Sequence, residues 1–508
     1  MDKQIRRLGI AFVALFAVLF AQVAYVQVFA ADRIANNDAN AARKIRAQYS
    51  VQRGEILASD NLTVLARSVA NPDTASPFRY LREYPEGELY GQLTGYYSRL
   101  YGLSGLEDAM DPYLAGTAPE FAAQNLTDLI LGRPKQGGTV VTTIVPRLQQ
   151  TAKKALGSLK GAVVALDPRT GDILAMYSTP GFDPNTLSSG TTDQMSAAWQ
   201  RLNADPGKPL LSKAFQELYL PGSTFKLVTA SAALANGWPP TKTWPNPHVL
   251  DLPGSRSTLE NFGNELCAGG AKFVTMFEAF TESCNVTFGI IGQSLGPEKL
   301  SRQAHAYGYC QTLPDTSPDC LEPTIPFILP WASGRFPAPE YFADKRSKVA
   351  TSAVGLDNDQ QNPLQLALVS SAIAAGGTLY APRLVTEVRD SAGLPVKEFS
   401  PAIYGHPIST ANAASMREMM VNVVAHGTGS AAQIPGQTIA GKTGTATNGK
   451  NVPPNAWFTA FAPAGPTQTP RIAVAVIVLD GGSLGNEATG GRVAAPVAKQ
   501  VIEAFLGR

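Results

Sequence analysis

A serine and a lysine three residues apart, Ser223 and Lys226, are the side chains of this chain best suited to covalent chemistry. Pro221 and Gly222 mark a turn before them, and the apolar residues within 223–235 predict a buried helix. Residues i and i+3 are neighbours on a helix, so the lysine amine can meet the serine hydroxyl. Because burial disfavours the charged amine and lowers its pKa, a neutral lysine can take the serine proton. The pattern predicts a nucleophilic serine at a helix N-terminus, where the helix dipole favours an oxyanion.

Two residues further along the chain could assist that serine. Ser283 and Asn285 follow a helix-like run at 273–280, and we expect them on a loop between helices, facing one cleft. There the hydroxyl can relay a proton and the amide can bind a substrate carbonyl. A serine and an asparagine at this spacing carry little information by themselves.

A third group of residues, Lys442, Thr443, Gly444 and Thr445, is expected on a strand. Alternation along the strand places Lys442 and Gly444 on one side and the two threonines on the other. The lysine would bring positive charge to a cleft, and the threonines would offer hydroxyls to a carboxylate. Gly444 would let a ligand backbone approach closely.

Composition limits the classes of function. The 508 residues allow two or three domains, and 44% hydrophobic with 16% charged residues indicates a globular protein with an added apolar segment. The net charge is +2 and no basic domain stands out, so no nucleic-acid partner is predicted. The four histidines share no metal-ligand spacing, and no metal site is predicted.

The N-terminus predicts a membrane anchor. Residues 1–7 are basic and form a short cytoplasmic tail, and residues 8–31 contain no charged side chain and are long enough to cross a bilayer. A signal peptide cleaved after Ala30 is the alternative, but the apolar run exceeds the usual h-region of about 7–15 residues. In either case the rest of the chain lies outside the cytoplasm, beginning with a polar stalk at 32–50.

Two domains are expected after the anchor, a non-catalytic module at 32–145 and a second domain at 146–508. A helix starts at Pro146, strands follow at 162–166 and 173–177, and strands return only near the end, at 438–440, 457–462 and 472–479. A final helix carries an apolar stripe over 493–505. Strands at both ends with helices between them predict an α+β domain whose sheet pairs the first strands with the last. The proline-rich residues 314–339 are expected to form an inserted loop.

The three groups of residues occur in the order Ser-x-x-Lys, Ser-x-Asn and Lys-Thr-Gly, which resembles the penicillin-binding proteins and the serine β-lactamases. The middle motif reads Ser-Cys-Asn, with a cysteine at its variable position. The string Ser59-Asp60-Asn61 precedes the Ser-x-x-Lys helix and is interpreted as a turn. Other stretches resemble the same transpeptidase domain or the N-terminal module of the class B, monofunctional penicillin-binding proteins, in particular the A group of actinobacteria: 53–56, 105–107, 167–176, 362–367, 374–377, 427–429 and 455–458.

The resemblance implies an antiparallel sheet with helices on both faces, preceded by a pedestal- or dimerisation-like module and one transmembrane helix. It also implies a D,D-transpeptidase that crosslinks peptidoglycan stem peptides ending in D-Ala-D-Ala during division or growth. Such an enzyme needs no cofactor, is inhibited by β-lactams, and works with other cell-wall synthesis proteins at the membrane.

The resemblance also implies a role for each motif residue. Ser223 would attack the penultimate carbonyl, Lys226 would take its proton, Ser283 would help return a proton to the leaving D-Ala, and Asn285 would hold the donor peptide. Lys442, Thr443, Gly444 and Thr445 would bind the substrate, with the lysine and threonines on its terminal carboxylate and the backbone N–H groups of Ser223 and Thr445 around the oxyanion.

Other functions remain possible for the same residues. A D,D-carboxypeptidase would use water as the acceptor, and a catalytically silent scaffold would only hold partners. The anchor and the N-terminal module argue against a β-lactamase. The segment between Ser50 and Lys160 is too short for the glycosyltransferase domain of a bifunctional enzyme.

The four cysteines, Cys267, Cys284, Cys310 and Cys320, all lie in the part expected outside the cytoplasm. An even number there favours disulfides, with three possible pairings. We predict Cys267–Cys284 and Cys310–Cys320, because each joins neighbours along the chain. Four reduced, buried cysteines are the alternative.

Overall fold

A computed structural model describes residues 2–30, 41–315, 319–322, 324–447, 449 and 452–508. Its first helix, Asp2–Val28, has a mean hydropathy of 2.3 in its most apolar 18-residue window, none of which is buried. Twenty-seven residues make a helix about 40 Å long, which exceeds the roughly 30 Å of a bilayer core. The helix can therefore cross a membrane, as predicted from 8–31. Ala31 and the stalk residues 32–40 lie outside the described residues, and the rest of the predicted stalk contains a helix, Ala41–Gln48.

A five-stranded antiparallel sheet, called here the central sheet, forms the middle of the C-terminal part. It pairs the first strands of this part with the last, as predicted. Its strands, in spatial order, are Ala440–Ala446, Asn455–Ala462, Ile472–Val478, Gly161–Leu166 and Ile173–Thr179.

Helices cover the central sheet on both faces. Every residue of the strands Gly161–Leu166, Asn455–Ala462 and Ile472–Val478 is buried, which an antiparallel sheet shows only when neither face meets water. Pro146–Leu156 and Ala495–Phe505 pack together against it, and Pro363–Ala374 and Thr410–His426 form a second packed pair. The predicted fold class is confirmed.

Two local predictions were wrong. The strand expected at 438–440 begins at Ala440 and continues through the Lys-Thr-Gly residues to Ala446. The run at 273–280 is not one helix, because Phe273–Thr275 pairs as a strand with Thr243–Pro245 before the helix Met276–Thr281 starts. Thr275 caps that helix with Glu278 in a capping box.

Strands also occur in the middle of the chain, where none was predicted. Val385–Arg389 and Pro395–Glu398 form a hairpin, and Val385–Arg389 pairs with Thr139–Thr142 of the N-terminal module. Together with Ile56–Leu57, Val64–Ala70 and Tyr80–Glu83 they make a six-stranded sheet. This sheet, called here the joining sheet, connects the N-terminal module to the C-terminal part by backbone hydrogen bonds.

The remaining helices and strands lie around these two sheets. The N-terminal module contains the helices Gly91–Thr94, Gly105–Ala109, Asp111–Leu114 and Ala122–Ile130 and the strands Tyr97–Ser98 and Gly102–Leu103. The C-terminal part adds the helices Asn185–Ser188, Thr192–Ala204, Lys226–Ala235, Asn285–Leu295, Pro297–Ala306 and Arg346–Ser352 and the strands Val249–Asp251, Thr258–Glu260, Cys310–Thr312, Arg335–Pro337, Leu379–Tyr380 and Ile403–Gly405.

A buried ion-pair cluster holds the N-terminal module together. The carboxylate of Glu107 is fully buried and accepts from Arg53 Nε and Arg82 Nε, each at 2.6 Å. Burial by itself raises the pKa of Glu107, but the charges of Arg82 and Arg53 lower it below its usual value. The two sequence stretches that contain Arg53 and Glu107 therefore serve packing, as the sequence indicated for a non-catalytic module.

Glu107→Gln should destabilise the module strongly, because it leaves the buried guanidinium of Arg82 without a counter-charge and leaves Arg53 with Asp111 alone. Breaking such a buried pair typically costs about 3–5 kcal/mol. Urea unfolding followed by tryptophan fluorescence measures this. Glu83→Gln is the matched control, because both Glu83 and its partner Arg67 are exposed and solvent screens such a pair. Equal midpoints for the two variants would contradict the proposed importance of the cluster.

Candidate active site

Ser223 lies on a tight turn immediately before a buried helix. Gly222–Phe225 is a 3-10 turn and the α-helix begins only at Lys226, so the predicted single helix over 223–235 was wrong for its first residues. Gly222 has a φ of +52°, and a Cβ there would lie 2.5 Å from the carbonyl oxygen of Thr445. Only glycine fits this conformation and this close approach, which brings the serine turn against the Lys-Thr-Gly strand.

The amine of Lys226 meets the hydroxyl of Ser223 inside the protein. Lys226 Nζ is 2.9 Å from Ser223 Oγ, and Lys226 is completely buried. The other partners of Nζ are neutral oxygens: the carbonyl of Ser283 at 2.6 Å and Asn285 Oδ1 at 2.7 Å. Burial, together with the nearby charge of Lys442, lowers the pKa of Lys226 well below its usual value. Since no carboxylate pairs with Lys226 among the described residues, the structure favours its neutral form, as a general base requires.

A second buried lysine lies on the other side of Ser283. Lys442 Nζ is 2.8 Å from Ser283 Oγ, and that hydroxyl is also 3.3 Å from Lys226 Nζ. Burial lowers the pKa of Lys442 to about 7. Ser283 thus connects the two amines. Its φ of +64° is rare for a non-glycine residue, and in this conformation its hydroxyl contacts both amines while its carbonyl accepts from Lys226.

Asn285 begins the helix Asn285–Leu295 rather than lying on a loop. Its side chain bridges two elements: Oδ1 accepts from Lys226, and Nδ2 donates to the carbonyl of Glu260 at 3.1 Å. The side chain of Asn261 caps the same helix by accepting from the backbone N–H groups of Asn285 and Val286. Nothing in the sequence pointed to Asn261, because a cap from 24 residues upstream has no local signature.

The Lys-Thr-Gly strand has the alternation that the sequence predicted. Lys442 is buried on the side of Ser283, whereas Thr443 shares a 2.6 Å hydrogen bond with Thr428. The structure gives Gly444 a reason besides the predicted one. A Cβ there would lie 2.8 Å from Thr224 Cγ2, so glycine also lets the serine turn lie close to the strand.

A cleft of about 900 Å³ opens above these residues. Six of the eight predicted site residues line it, and the two lysines lie behind it, in contact with it through Ser223 and Ser283. The lining residues are Ser223, Ser283, Asn285, Thr443, Gly444 and Thr445, together with residues the sequence did not single out as functional, such as Asn261, Phe262, His426, Thr428 and Glu487. A half-buried serine, a neutral amine and a nearby cation are the groups that acyl transfer through a covalent ester needs.

Both predicted disulfides are confirmed. Cys267 and Cys284 are bonded with a Cα–Cα distance of 5.8 Å, and Cys310 and Cys320 with 5.3 Å. The first bond ties the loop of Ser283 to the turn Cys267–Gly270. The backbone N–H of Ala268 in that turn also donates to the carboxylate of Glu282, the residue before Ser283. The second joins Cys310 to Cys320 within the proline-rich insertion, of which residues 316–318 and 323 are outside the described part of the chain.

Comparison with known proteins agrees with this geometry. Residues 161–503 match the family described as the penicillin binding protein transpeptidase domain, and residues 53–140 match the penicillin binding protein A dimerisation domain. The peptidoglycan D,D-transpeptidase PbpA of Mycolicibacterium smegmatis is 39% identical over all of this chain and 99% of its own length. Its counterpart in Mycobacterium tuberculosis is 38% identical over the same shares.

Solved structures show the same fold. Penicillin-binding protein A from M. tuberculosis, as its penicillin G acyl-enzyme complex, has a TM-score of 0.81 at 38% identity over 90% of this chain and all of that chain. The imipenem acyl-enzyme complex gives the same TM-score and coverage at 37% identity. The chain therefore belongs to the penicillin-binding protein transpeptidase family. The class B resemblance and the transpeptidase class expected from it are confirmed.

Removing the Cys267–Cys284 bond should slow acylation by penicillin, because the loop that carries Ser283 and Asn285 then gains freedom. Closing a loop of about 15 residues stabilises the native state by on the order of 3 kcal/mol in the chain-entropy model. The double variant Cys267→Ser with Cys284→Ser, tested with a fluorescent penicillin, measures the effect. Cys310→Ser with Cys320→Ser is the control and should acylate normally. Equal slowing in both would show that general stability, not the loop, is responsible.

Proposed function

We propose that this protein is a peptidoglycan D,D-transpeptidase that crosslinks stem peptides through an ester on Ser223. The contact between Lys226 Nζ and Ser223 Oγ at 2.9 Å, with the amine fully buried, is the observation that carries the proposal. The names and acyl-enzyme states of the relatives support it: those relatives are named for D,D-transpeptidation, and their structures hold β-lactams as acyl-enzymes.

Acylation uses the two lysines in different charge states. Neutral Lys226 takes the proton of Ser223 while Oγ attacks the carbonyl of the penultimate D-Ala. The oxyanion lies between the backbone N–H groups of Ser223 and Thr445, and the C–N bond then breaks. The leaving D-Ala receives its proton through Ser283, whose hydroxyl contacts both amines. The amine of a neighbouring stem next attacks the ester, and Ser223 regains its proton.

Substrate binding falls to the other side of the cleft. Thr443, Gly444 and Thr445 line it, and the hydroxyl of Thr443 is already oriented by its bond to Thr428. These hydroxyls hold the terminal carboxylate of the substrate, and Lys442, protonated below about pH 7, supplies the positive charge behind them. Asn285 holds the donor peptide at the opposite wall.

We further propose that residues 1–7 are cytoplasmic, that residues 8–31 cross the membrane, and that the module at 32–145 and the catalytic domain at 146–508 lie outside the cytoplasm. The unburied apolar helix Asp2–Val28 and the basic residues before position 8 support this orientation. In this position the enzyme would reach the cell wall and the other proteins that build it.

Ser223→Ala should abolish acylation, and Lys226→Ala should lower the acylation rate roughly 10²–10⁴-fold, because the general base is lost. Labelling with a fluorescent penicillin and mass mapping of the adduct test both. Ser283→Ala should cost less, since water can replace its hydroxyl. Lys213→Ala is the matched control, because Lys213 is also buried but bonds to Gly207 away from the cleft. An adduct on any residue other than Ser223 would overturn the assignment.

Incubation of the full chain with a pentapeptide donor and a stem-peptide acceptor tests the reaction itself. A crosslinked product is expected, with loss of D-Ala. Release of D-Ala without crosslinking would identify a D,D-carboxypeptidase. Acylation by penicillin without turnover of either kind would indicate a scaffold.

The pH dependence should show the loss of the charge on Lys442. Since burial lowers its pKa to about 7, its ammonium is present below that pH and is lost as the pH rises through it. The second-order rate constant for acylation by a carboxylate-bearing penicillin should therefore decline above about pH 7. Lys442→Met should be slow at every pH and lack this decline. The same alkaline decline in the variant would assign it to another group.

A further inference from the structure

The helix Ala122–Ile130 of the N-terminal module is amphipathic, but its apolar side faces solvent instead of the protein core. Its large apolar side chains point to solvent, and none of its residues is buried. Leu126, Leu129, Ile130 and the following Leu131 are 58%, 76%, 75% and 56% exposed. Adjacent apolar side chains so exposed on a protein surface indicate a site of interaction with another surface.

Two polar side chains of the same helix bond to the protein behind it. Gln124 Nε2 donates to Ser391 Oγ at 2.8 Å, and Asn125 Nδ2 donates to the carbonyl of Gly116 at 2.9 Å. These bonds fix the rotation of the helix, so that its apolar face cannot turn inward. Ser391 lies in the turn of the hairpin that joins the two domains, and the same turn carries Leu394, which is 63% exposed.

The segment that contains this helix is attached to the module near the point where the chain arrives from the candidate membrane span. The N–H of Gly54 donates to Leu114 and the N–H of Gly137 donates to Gln52, both at 2.9 Å. The segment that contains the helix therefore leaves and re-joins the module beside residues 52–54. Only 23 residues, 29–51, separate Gln52 from Val28, the last residue of the apolar helix. The apolar face is thus within reach of the bilayer that this helix would cross.

We propose that Ala122–Ile130 lies in the surface of the membrane, with Leu126, Leu129, Ile130 and Leu131 among the acyl chains. Arg133 is exposed and Lys135 is partly exposed just after the helix, and both would lie near anionic headgroups. The inference rests on the membrane anchor proposed above. A second attachment point would fix the tilt of the module and, through the joining sheet, the position of the cleft above the membrane.

A second copy of the chain is the other occupant to consider, because the matched family of residues 53–140 is described as a dimerisation domain. A stable protein interface uses about 20–30 residues on each side, whereas this face offers four leucine and isoleucine side chains on one short helix. A bilayer requires no matching shape. The anchor would also keep the helix at a high local concentration near the lipid, so a weak contact suffices.

An environment-sensitive fluorophore on a single introduced thiol tests the proposal in the full chain. Leu129→Cys is labelled without reductant, since the four native cysteines are in disulfides, and the protein is placed in phosphatidylcholine–phosphatidylglycerol vesicles. Leu62→Cys is the matched control, a leucine of the same module that is 83% exposed. Acylation by penicillin checks the folding of each variant, and flotation of the vesicles reports the anchor separately.

We expect lipids with a spin label high on the acyl chain to quench the probe at position 129 several-fold more than the probe at 62. Aqueous iodide should show the reverse order. Leu126→Gln with Ile130→Gln should abolish the lipid quenching at 129. Flotation with equal quenching at the two positions would overturn the proposal and leave the anchor standing, whereas loss of flotation would overturn both. Concentration-dependent crosslinking through Cys introduced at 129, without lipid quenching, would assign the face to a second copy.

Discussion

Two buried lysines around one serine hydroxyl are the constraint on which the rest of the site depends. A buried ammonium group without a carboxylate is costly, so the protein must keep at least one of the pair neutral. Within the described part of the chain, Lys226 has only carbonyl, amide and hydroxyl oxygens as partners, and the charge of Lys442 disfavours a second charge beside it. The same electrostatic arrangement that costs stability therefore produces a base next to Ser223.

Three separate elements must meet to create this arrangement, and short contacts hold them together. Glycine at positions 222 and 444 lets the serine turn lie directly against the Lys-Thr-Gly strand, because a Cβ at either position would collide with the other element. The loop of Ser283 is held by a disulfide on one side and by the Asn261 cap on the other. The unusual φ of Ser283 is thus maintained by its surroundings.

The N-terminal module is attached to this catalytic part by a continuous sheet rather than by a flexible linker. Val385–Arg389 leaves the catalytic domain to pair with Thr139–Thr142, and the cluster around Glu107 stiffens the module behind it. Movement of the module relative to the cleft would break backbone hydrogen bonds of the joining sheet. Orientation of the module at a membrane would therefore also orient the cleft.

Local patterns along the chain were enough to predict the candidate site and the general fold. The three motifs were recognisable because each is local and their order is informative. They contain Ser223, Lys226, Ser283, Asn285 and the stretch Lys442–Thr445. The apolar strands of the central sheet, the apolar N-terminal helix and both disulfides were also predictable, since periodicity, hydropathy and nearness along the chain indicate them.

Contacts between residues far apart along the chain became visible only in the folded protein. The cap by Asn261 and the bond between Thr428 and Thr443 join elements that no local pattern connects. The pairing of Val385–Arg389 with Thr139–Thr142 likewise depends on a register set by the folded domains. The charge states of Lys226 and Lys442 follow from burial and mutual distance, which a sequence does not contain. The outward apolar face of Ala122–Ile130 could not be predicted for the same reason. Only the folded chain shows that its leucine and isoleucine side chains point to solvent.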